Sequence, residues 1–139
     1  MILIDTSLWL AVYRDRSGSI SERVQRALGG EEYVLCQFVR AEILRGCRDQ
    51  AEWTSLTEYL DDQVYRELSL TGWNDAARLY FDLRQKGITV RSAFDCCISA
   101  LALEHDLTLL HNDRDYEKIA TVRPLQQRRL SGLEPFGHG

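Results

Sequence analysis

Short apolar runs alternate with longer amphipathic segments along the chain, and this alternation predicts its secondary structure. Residues 2–4, 33–36, 64–68, 107–110 and 121–122 are apolar or alternating and predict β-strands. Between them, apolar residues recur three or four positions apart. This spacing predicts helices that begin near Leu8, Ser19, Phe38, Glu52, Thr71, Ala93 and Asp113. From residue 128 onward the pattern is lost, and we expect a loose tail over 128–139.

Strands that alternate with helices indicate an α/β fold. We expect three layers, α/β/α, in which a central, mostly parallel sheet has helices on both faces. Right-handed crossovers bring the carboxyl ends of parallel strands to one edge of the sheet, where such folds place their sites. The length of 139 residues, with two prolines, predicts a single domain over 1–139.

The composition limits the kinds of partner and the cellular location that we expect for the protein. The formal net charge is −4, which argues against a protein that binds any polyanion. No apolar run is long enough to cross a membrane, and the N-terminus lacks a signal-peptide pattern. We therefore expect a cytoplasmic protein with no membrane partner. The cysteines at positions 36, 47, 96 and 97 lack the spacing of a zinc site and predict free thiols.

Five acidic residues follow predicted strands or stand in the first turns of predicted helices. They are Asp5, Glu42, Asp95, Asp113 and Asp115. Taken singly, each has an ordinary explanation as a helix cap, a partner of the helix dipole or half of a surface ion pair. Their shared position at one edge of a parallel sheet is what predicts a common site.

Carboxylates that converge need to be neutralised. Two of them about 5 Å apart repel by roughly 3 kcal/mol at an effective dielectric near 20, so either some stay protonated or a divalent cation binds. All-oxygen ligands favour Mg²⁺, with Mn²⁺ as the alternative, over zinc. Such a site suits phosphoryl chemistry, because the metal activates water and polarises phosphate without a histidine base. We expect His111 to be an incidental neighbour.

Other chemistries lack their motifs in this sequence. We find no glycine-rich nucleotide loop, no His-Glu-x-x-His and no Gly-x-Ser-x-Gly. The Asp-x-Asp pair after Leu110 is also typical of haloacid-dehalogenase-like phosphohydrolases. Glu117 and the scarcity of lysine argue against that alternative.

Four segments, in this order and spacing, resemble the PIN-domain ribonucleases, in particular the toxins of bacterial VapBC toxin–antitoxin systems. The segments are residues 2–7 (ILIDTS), 41–46 (AEILRG), Asp95 with 98–102 (ISALA), and 109–116 (LLHNDRDY). The resemblance covers nearly the whole chain. Two departures are Cys96-Cys97, where small or aliphatic residues are more typical, and Tyr116, where Phe is commoner.

The resemblance implies a three-layer PIN-like fold and Mg²⁺-dependent endoribonuclease activity. From the carboxylate set and the lack of a histidine pair we expect metal-activated water to hydrolyse the RNA, leaving a 5′-phosphate and a 3′-hydroxyl. The resemblance implies Asp5, Asp95 and Asp113 as metal ligands and Glu42 as an acid that orients metal or water. Asp115 is then a second-metal ligand or a supporting acid. It also implies a homodimer and a cognate antitoxin whose C-terminal arm blocks the site.

Other surfaces are expectations of the same kind. Thr6 and Ser7 are candidates to hold a ligand water or RNA, although helix capping explains either hydroxyl equally well. Among the arginines near the acids, the main candidates for RNA phosphates are Arg45, Arg91 and Arg114. An antitoxin helix is expected in an apolar groove around Leu10, Val24 and Leu56. A catalytically silent PIN-fold module that binds RNA or protein remains the alternative from a different class.

Overall fold

A computed structural model describes residues 1–132 and contains four strands and seven helices. The strands are β1 (Ile2–Ile4), β2 (Tyr33–Val34), β3 (Thr108–His111) and β4 (Gln127–Arg129). The helices are α1 (Thr6–Arg14), α2 (Ser19–Leu28), α3 (Gln37–Arg45), α4 (Gln50–Asp61), α5 (Leu70–Gln85), α6 (Ala93–Glu104) and α7 (Arg114–Ala120). The predicted helices are all present, with ends that differ by a few residues.

The four strands form one parallel sheet in the order β2-β1-β3-β4. Leu3 of β1 pairs with Leu109 of β3, and both side chains belong to the larger apolar core beneath α3 to α6. Ile4 pairs with Leu110, and these side chains point to a second core against α1 and α2. The central strands are apolar except at the two ends of β3, Thr108 and His111, because both of their faces are covered. The three-layer α/β/α prediction is therefore confirmed.

Helices in this fold begin at short polar side chains that cap free backbone N–H groups. Asp5 caps α1 by accepting from the backbone N of Ser7, so α1 begins two residues earlier than the predicted start at Leu8. Asp113 caps α7 in the same way through the backbone N of Asp115. The residues that follow β1 and β3 are thus held at the carboxyl edge of the sheet by the helices that they start.

The predicted strand over 64–68 is wrong. The chain there forms a single parallel bridge between Tyr65 and Leu35, with Leu35 N donating to Val64 O at 2.8 Å and Arg66 N donating to Leu35 O at 2.9 Å. β2 is itself only two residues long, so it offers this segment little to pair with.

The end of the sheet also differs from the sequence prediction. Residues 121–122 lie in the turn after α7, where Val122 N donates to Ile119 O, and the last strand is β4 instead. The loose tail was therefore predicted to begin too early. Arg128 and Arg129 pair in register with Leu110 and His111. β4 was missed because it is polar and lies at the sheet edge, where no apolar pattern is required. Residues 133–139 of the expected tail lie outside the described residues.

All four cysteines are free. Burial raises the pKa of the Cys36 thiol to about 12, and that of Cys96 to about 12 as well, so neither is a nucleophile at neutral pH. Separately, within residues 1–132 no helix combines the length and the apolar character that a membrane span requires.

Candidate metal centre

The five acids come from four separate parts of the fold. Asp5 follows β1, and Asp113 and Asp115 follow β3 at the start of α7. Asp95 lies in the first turn of α6 and Glu42 in the second turn of α3. Because β1 and β3 are neighbouring parallel strands, their carboxyl ends meet, and Asp5 N donates to Leu110 O at 3.0 Å. The topology thus gathers acids that the sequence separates by up to 110 positions.

Three of these carboxylates could share one cation. Asp95, Asp113 and Asp115 each present an oxygen such that the three atoms lie within 4.8 Å of one another. Asp95 is 8% exposed and Asp115 is 2% exposed, so little water is available to offset their repulsion.

Asp5 joins this group through the hydroxyl of Tyr116. The Tyr116 hydroxyl donates to Asp5 Oδ1 at 2.8 Å and to Asp95 Oδ1 at 3.2 Å. The other oxygen of Asp5 accepts from Ser7, from the backbone N at 3.2 Å and from Oγ at 2.9 Å. Ser7 Oγ in turn accepts from the backbone N of Asn112 at 3.1 Å, which ties the loop after β3 to the start of α1.

The pKa of the Asp95 carboxyl is raised to about 7, first by burial and then by the negative charges of Asp113 and Asp5. Burial is also the main cause of a raised pKa for Glu42, with further increases from Asp5 and Asp113, while a hydrogen bond from Thr6 lowers it. Thr6 Oγ1 donates to Glu42 Oε1 at 3.0 Å. The Asp95 carboxyl therefore exchanges a proton near neutral pH, and Glu42 keeps its proton to a higher pH than a free glutamate does.

Asp115 behaves differently because it has cationic partners. Burial raises its pKa, but hydrogen bonds from Arg91 and Lys118 outweigh that effect, so its net pKa is lowered. The backbone N of Arg91 donates to Asp115 Oδ2 at 2.9 Å, and Lys118 Nζ lies 3.4 Å from Oδ1. Asp115 therefore stays ionised to a lower pH than a free aspartate does, with its charge partly balanced by Arg91 and Lys118.

His111, expected from the sequence to be an incidental neighbour of the acids, makes specific contacts with the residues around it. Its side chain is fully buried, Nε2 lies 2.7 Å from Gln127 Oε1, and Nδ1 accepts from the backbone N of Asp113 at 3.0 Å. These contacts assign the proton to Nε2. Burial lowers the pKa of His111, which keeps the ring neutral, and both ring nitrogens are already occupied.

The chemistry of the donors fits a hard divalent cation. The oxygens are carboxylates, and the nearest imidazole is committed to protein partners, which together favour Mg²⁺ or Mn²⁺ over zinc.

The PIN domain family model matches residues 2–122 of the chain. The chain belongs to the PIN domain family. A VapC ribonuclease of Mycobacterium bovis is 34% identical over 129 residues, covering 91% of this chain and 96% of that protein. Ribonuclease VapC11 of Mycobacterium tuberculosis matches equally well, at 34% identity with the same coverage.

Solved PIN-domain structures have the same fold. The crystal structure of VapBC2 from Rickettsia felis, bound to a DNA fragment from its promoter, superposes with a TM-score of 0.76 at 18% identity. The match covers 94% of this chain and 100% of that one. This likeness establishes the fold and leaves the roles of individual side chains to the geometry above.

The candidate RNA contacts of this PIN domain fall into two groups. Thr6 and Ser7 already donate their hydroxyl protons to Glu42 and Asp5, so they orient site carboxylates. Arg45 and Arg114 are exposed, and neither forms an ion pair within residues 1–132.

Arg91 shares features of both groups, because it is exposed and also contacts two site carboxylates. Its side chain is 78% exposed, and its Nη2 lies 3.0 Å from Asp113 Oδ1 while its Nε lies 3.4 Å from Asp115 Oδ2. The guanidinium therefore neutralises part of the acidic PIN-domain site from its rim.

Sequence reasoning missed two supports of this PIN-domain site. The hydroxyl of Tyr116 joins Asp5 to Asp95, and Gln127 fixes the orientation of the His111 ring. The signal for Tyr116 was present, since a phenol stands where Phe is commoner. For Gln127 the sequence offers no signal, because its role depends on a polar edge strand.

Proposed function

We propose that this chain is the toxin of a toxin–antitoxin module and cleaves RNA phosphodiesters with a divalent cation, Mg²⁺ or Mn²⁺, held by its acidic site. The observation that carries the proposal is the convergence of Asp95, Asp113 and Asp115, whose oxygens lie within 4.8 Å of one another. The ribonuclease names of the 34% identical relatives support RNA as the substrate. The toxin–antitoxin assemblies among the structural neighbours support an antitoxin partner.

The proposed ligands of the cation are Asp95 and Asp113, from the converging set, and Asp5, which lies outside that set and is joined to Asp95 by the Tyr116 hydroxyl. A divalent cation bound there supplies two things: it polarises the scissile phosphate and lowers the pKa of water at the site. The carboxylates must be ionised to bind it, so the raised pKa of Asp95 makes binding compete with a proton. Asp115, with its lowered pKa, contributes negative charge beside the ligands and orients Arg91.

Glu42 is the proposed proton carrier. Its pKa is raised by burial and by the charges of Asp5 and Asp113, which makes the carboxylate a stronger base than a free glutamate and suits it to accept a proton from water. Thr6 fixes the direction of this carboxyl through its hydrogen bond to Oε1. Arg91, Arg45 and Arg114 are the proposed contacts to RNA phosphates. Of these, Arg91 must leave Asp113 to reach one.

The test is RNA cleavage by the purified chain with Mg²⁺ or Mn²⁺ and with a chelator. We expect cleavage with the metal and none with the chelator. Asp95→Asn should abolish cleavage with the fold intact, because it removes a charge that the cation needs. Asp75→Asn is the matched control, since Asp75 is exposed on α5 away from the site, and it should cleave like the wild type.

The ends of the products provide a second readout. Hydrolysis by activated water leaves a 5′-phosphate and a 3′-hydroxyl, whereas attack by the 2′-hydroxyl leaves a 2′,3′-cyclic phosphate. Cyclic ends would contradict the proposed route. A wild type that binds RNA and metal yet leaves the RNA intact would instead favour the silent binding module.

The antitoxin is proposed to dock on the helices beside the site. An apolar groove of about 340 Å³ runs between α1, α3 and α4, lined by residues that include Trp9, Ile43 and Leu56. Of the residues expected around the groove, Leu56 lines it, whereas Leu10 and Val24 line two neighbouring hollows. We expect the product of a neighbouring small gene to copurify with this chain and to inhibit the cleavage, and Leu56→Glu to weaken that inhibition.

A further inference from the structure

Tyr116 occupies the middle of the acidic site. Its ring is fully buried and packs on His111, with 4.9 Å between ring centroids and 58° between ring planes. Its hydroxyl reaches two carboxylates from different helices, Asp5 at the start of α1 and Asp95 at the start of α6. All six tyrosines lie within the described residues. Among them, Tyr116 is the only one whose hydroxyl forms hydrogen bonds with any of the five site acids.

A phenol has one proton, and here two acceptors share it. The two acceptors are Asp5 Oδ1 and Asp95 Oδ1, and both are held next to the Tyr116 hydroxyl oxygen. A carboxylate oxygen that accepts one hydrogen bond keeps a second lone pair. The hydroxyl can therefore fix both oxygens while leaving each of them able to bind a cation.

The remaining contacts of Asp5 strengthen this arrangement. Its Oδ2 is held by Ser7, so Tyr116 completes the orientation of the carboxylate by holding the opposite oxygen. Asp95 gains its link to the β1 side of the site from the same hydroxyl. Rotation of either carboxylate would break a hydrogen bond in a buried setting, where an unmet polar group is costly.

We propose that the Tyr116 hydroxyl is a positioning residue that sets Asp5 and Asp95 in the orientation needed to bind a divalent cation. The inference rests on the proposed metal-dependent function and adds to it a residue outside the carboxylate set. Hydrogen-bond partners of metal ligands commonly change metal affinity by about 10–100-fold when they are removed. If the hydroxyl served only as a hydrogen-bonding group of a buried side chain, its removal would lower the stability of the fold and leave the metal affinity unchanged.

The test compares Mn²⁺ binding by wild type and Tyr116→Phe, counting free Mn²⁺ by electron paramagnetic resonance without RNA. We expect the dissociation constant of Tyr116→Phe to rise about 10–100-fold. Tyr65→Phe is the matched control. Its hydroxyl donates to Leu60 O at 2.8 Å and accepts from Arg40, and neither partner is a site acid. This variant should lose stability but bind Mn²⁺ like the wild type.

The outcomes separate the two proposals. If wild type and Tyr116→Phe bind Mn²⁺ equally, the positioning role is overturned and the proposed function stands. If the wild type itself binds no Mn²⁺ at millimolar concentration, the metal-dependent function fails, and the positioning role fails with it. An equal loss of affinity in Tyr65→Phe would also overturn the role, because it would trace the effect to general destabilisation.

A measurement on the wild type covers the case in which Tyr116→Phe does not fold. Binding of Mg²⁺ to carboxylates that share a phenol proton changes the polarity around that phenol. We expect Mg²⁺ to produce a tyrosine difference band in the near-ultraviolet spectrum that saturates together with binding. A flat difference spectrum under saturating Mg²⁺ would overturn the role.

Discussion

Burial of the Asp95 carboxyl raises its pKa, and the same carboxyl is a proposed metal ligand. Its neighbours Asp113 and Asp5 add to the effect of burial, and together they raise its pKa to about 7. An unfolded Asp titrates near about 3.9. The folded, metal-free protein therefore binds a proton that the unfolded chain has released over the range between these values.

The sign of the resulting pH dependence follows from this difference. Without metal, the contribution of Asp95 to stability is complete below about pH 4 and is lost as the pH rises towards 7. We expect the free energy of unfolding of wild type, relative to Asp95→Asn, to fall by about 1 kcal/mol per pH unit between about pH 5 and 7. Urea unfolding in a chelator measures this, and parallel curves for the two proteins would contradict it.

The sequence predicted which acids meet but not what holds them. Asp5 and Asp113 follow largely apolar strands, and such strands can be predicted from their residue types. The contacts of Tyr116 and Ser7 depend on side-chain directions across 111 and 105 positions of separation. No local pattern carries such information, so these supports became visible only in the folded protein.

Helix ends show how backbone conformation selects residues. Gly87 follows α5 with φ +72°, and Ile88 N donates to Leu83 O at 2.9 Å, which closes the helix. Gly46 ends α3 with φ −87°, an ordinary value for any residue. Both glycines look alike in the sequence, where each simply follows a helical segment.

The two glycines should respond oppositely to alanine. Gly87→Ala places a side chain at positive φ and should lower the free energy of unfolding by about 1 kcal/mol. Gly46→Ala meets no atom closer than 3.5 Å and should be neutral or raise stability by up to about 1 kcal/mol. Chemical denaturation of both variants tests this, and equal losses would refute the assignment to φ.

Strands were predicted well where both faces are buried and poorly at the edges. β1 and β3 lie at the centre of the sheet, so their residues are apolar except Thr108 and His111 at the ends of β3. β4 consists of Gln127, Arg128 and Arg129. It is held by side-chain contacts of these residues, such as Arg128 Nη1 to Ala27 O at 2.9 Å. An edge strand of this kind gives no hydrophobic signal.

The surface of the molecule carries an exposed apolar stripe along α5. Leu70, Trp73 and Phe81 are 91%, 51% and 42% exposed, and their spacing places them on one side of the helix together with Ala77. Trp73 also contacts the ring of Phe38, with centroids 5.4 Å apart. An exposed apolar stripe of this length is typical of a surface that another protein covers.

We expect a second copy of the chain to cover this stripe, because the anticipated homodimer needs an apolar contact surface. Sedimentation of the wild type should give twice the 16.0 kDa mass of one chain, and Phe81→Glu should shift it towards the monomer, because a charge would enter an apolar contact. Val64→Glu is the control, since Val64 is 56% exposed away from α5. A monomeric wild type at tens of micromolar would contradict the dimer.

The central pairing of β1 with β3 has a consequence for how this protein is made. Asp5 is among the first residues to leave the ribosome, whereas Asp113 and Asp115 follow β3 and come late in translation. A nascent chain that stops before β3 lacks two of the five site acids, so under the proposed function we expect a truncated product to leave RNA intact. The proposed activity would therefore arise only after most of the chain has been translated.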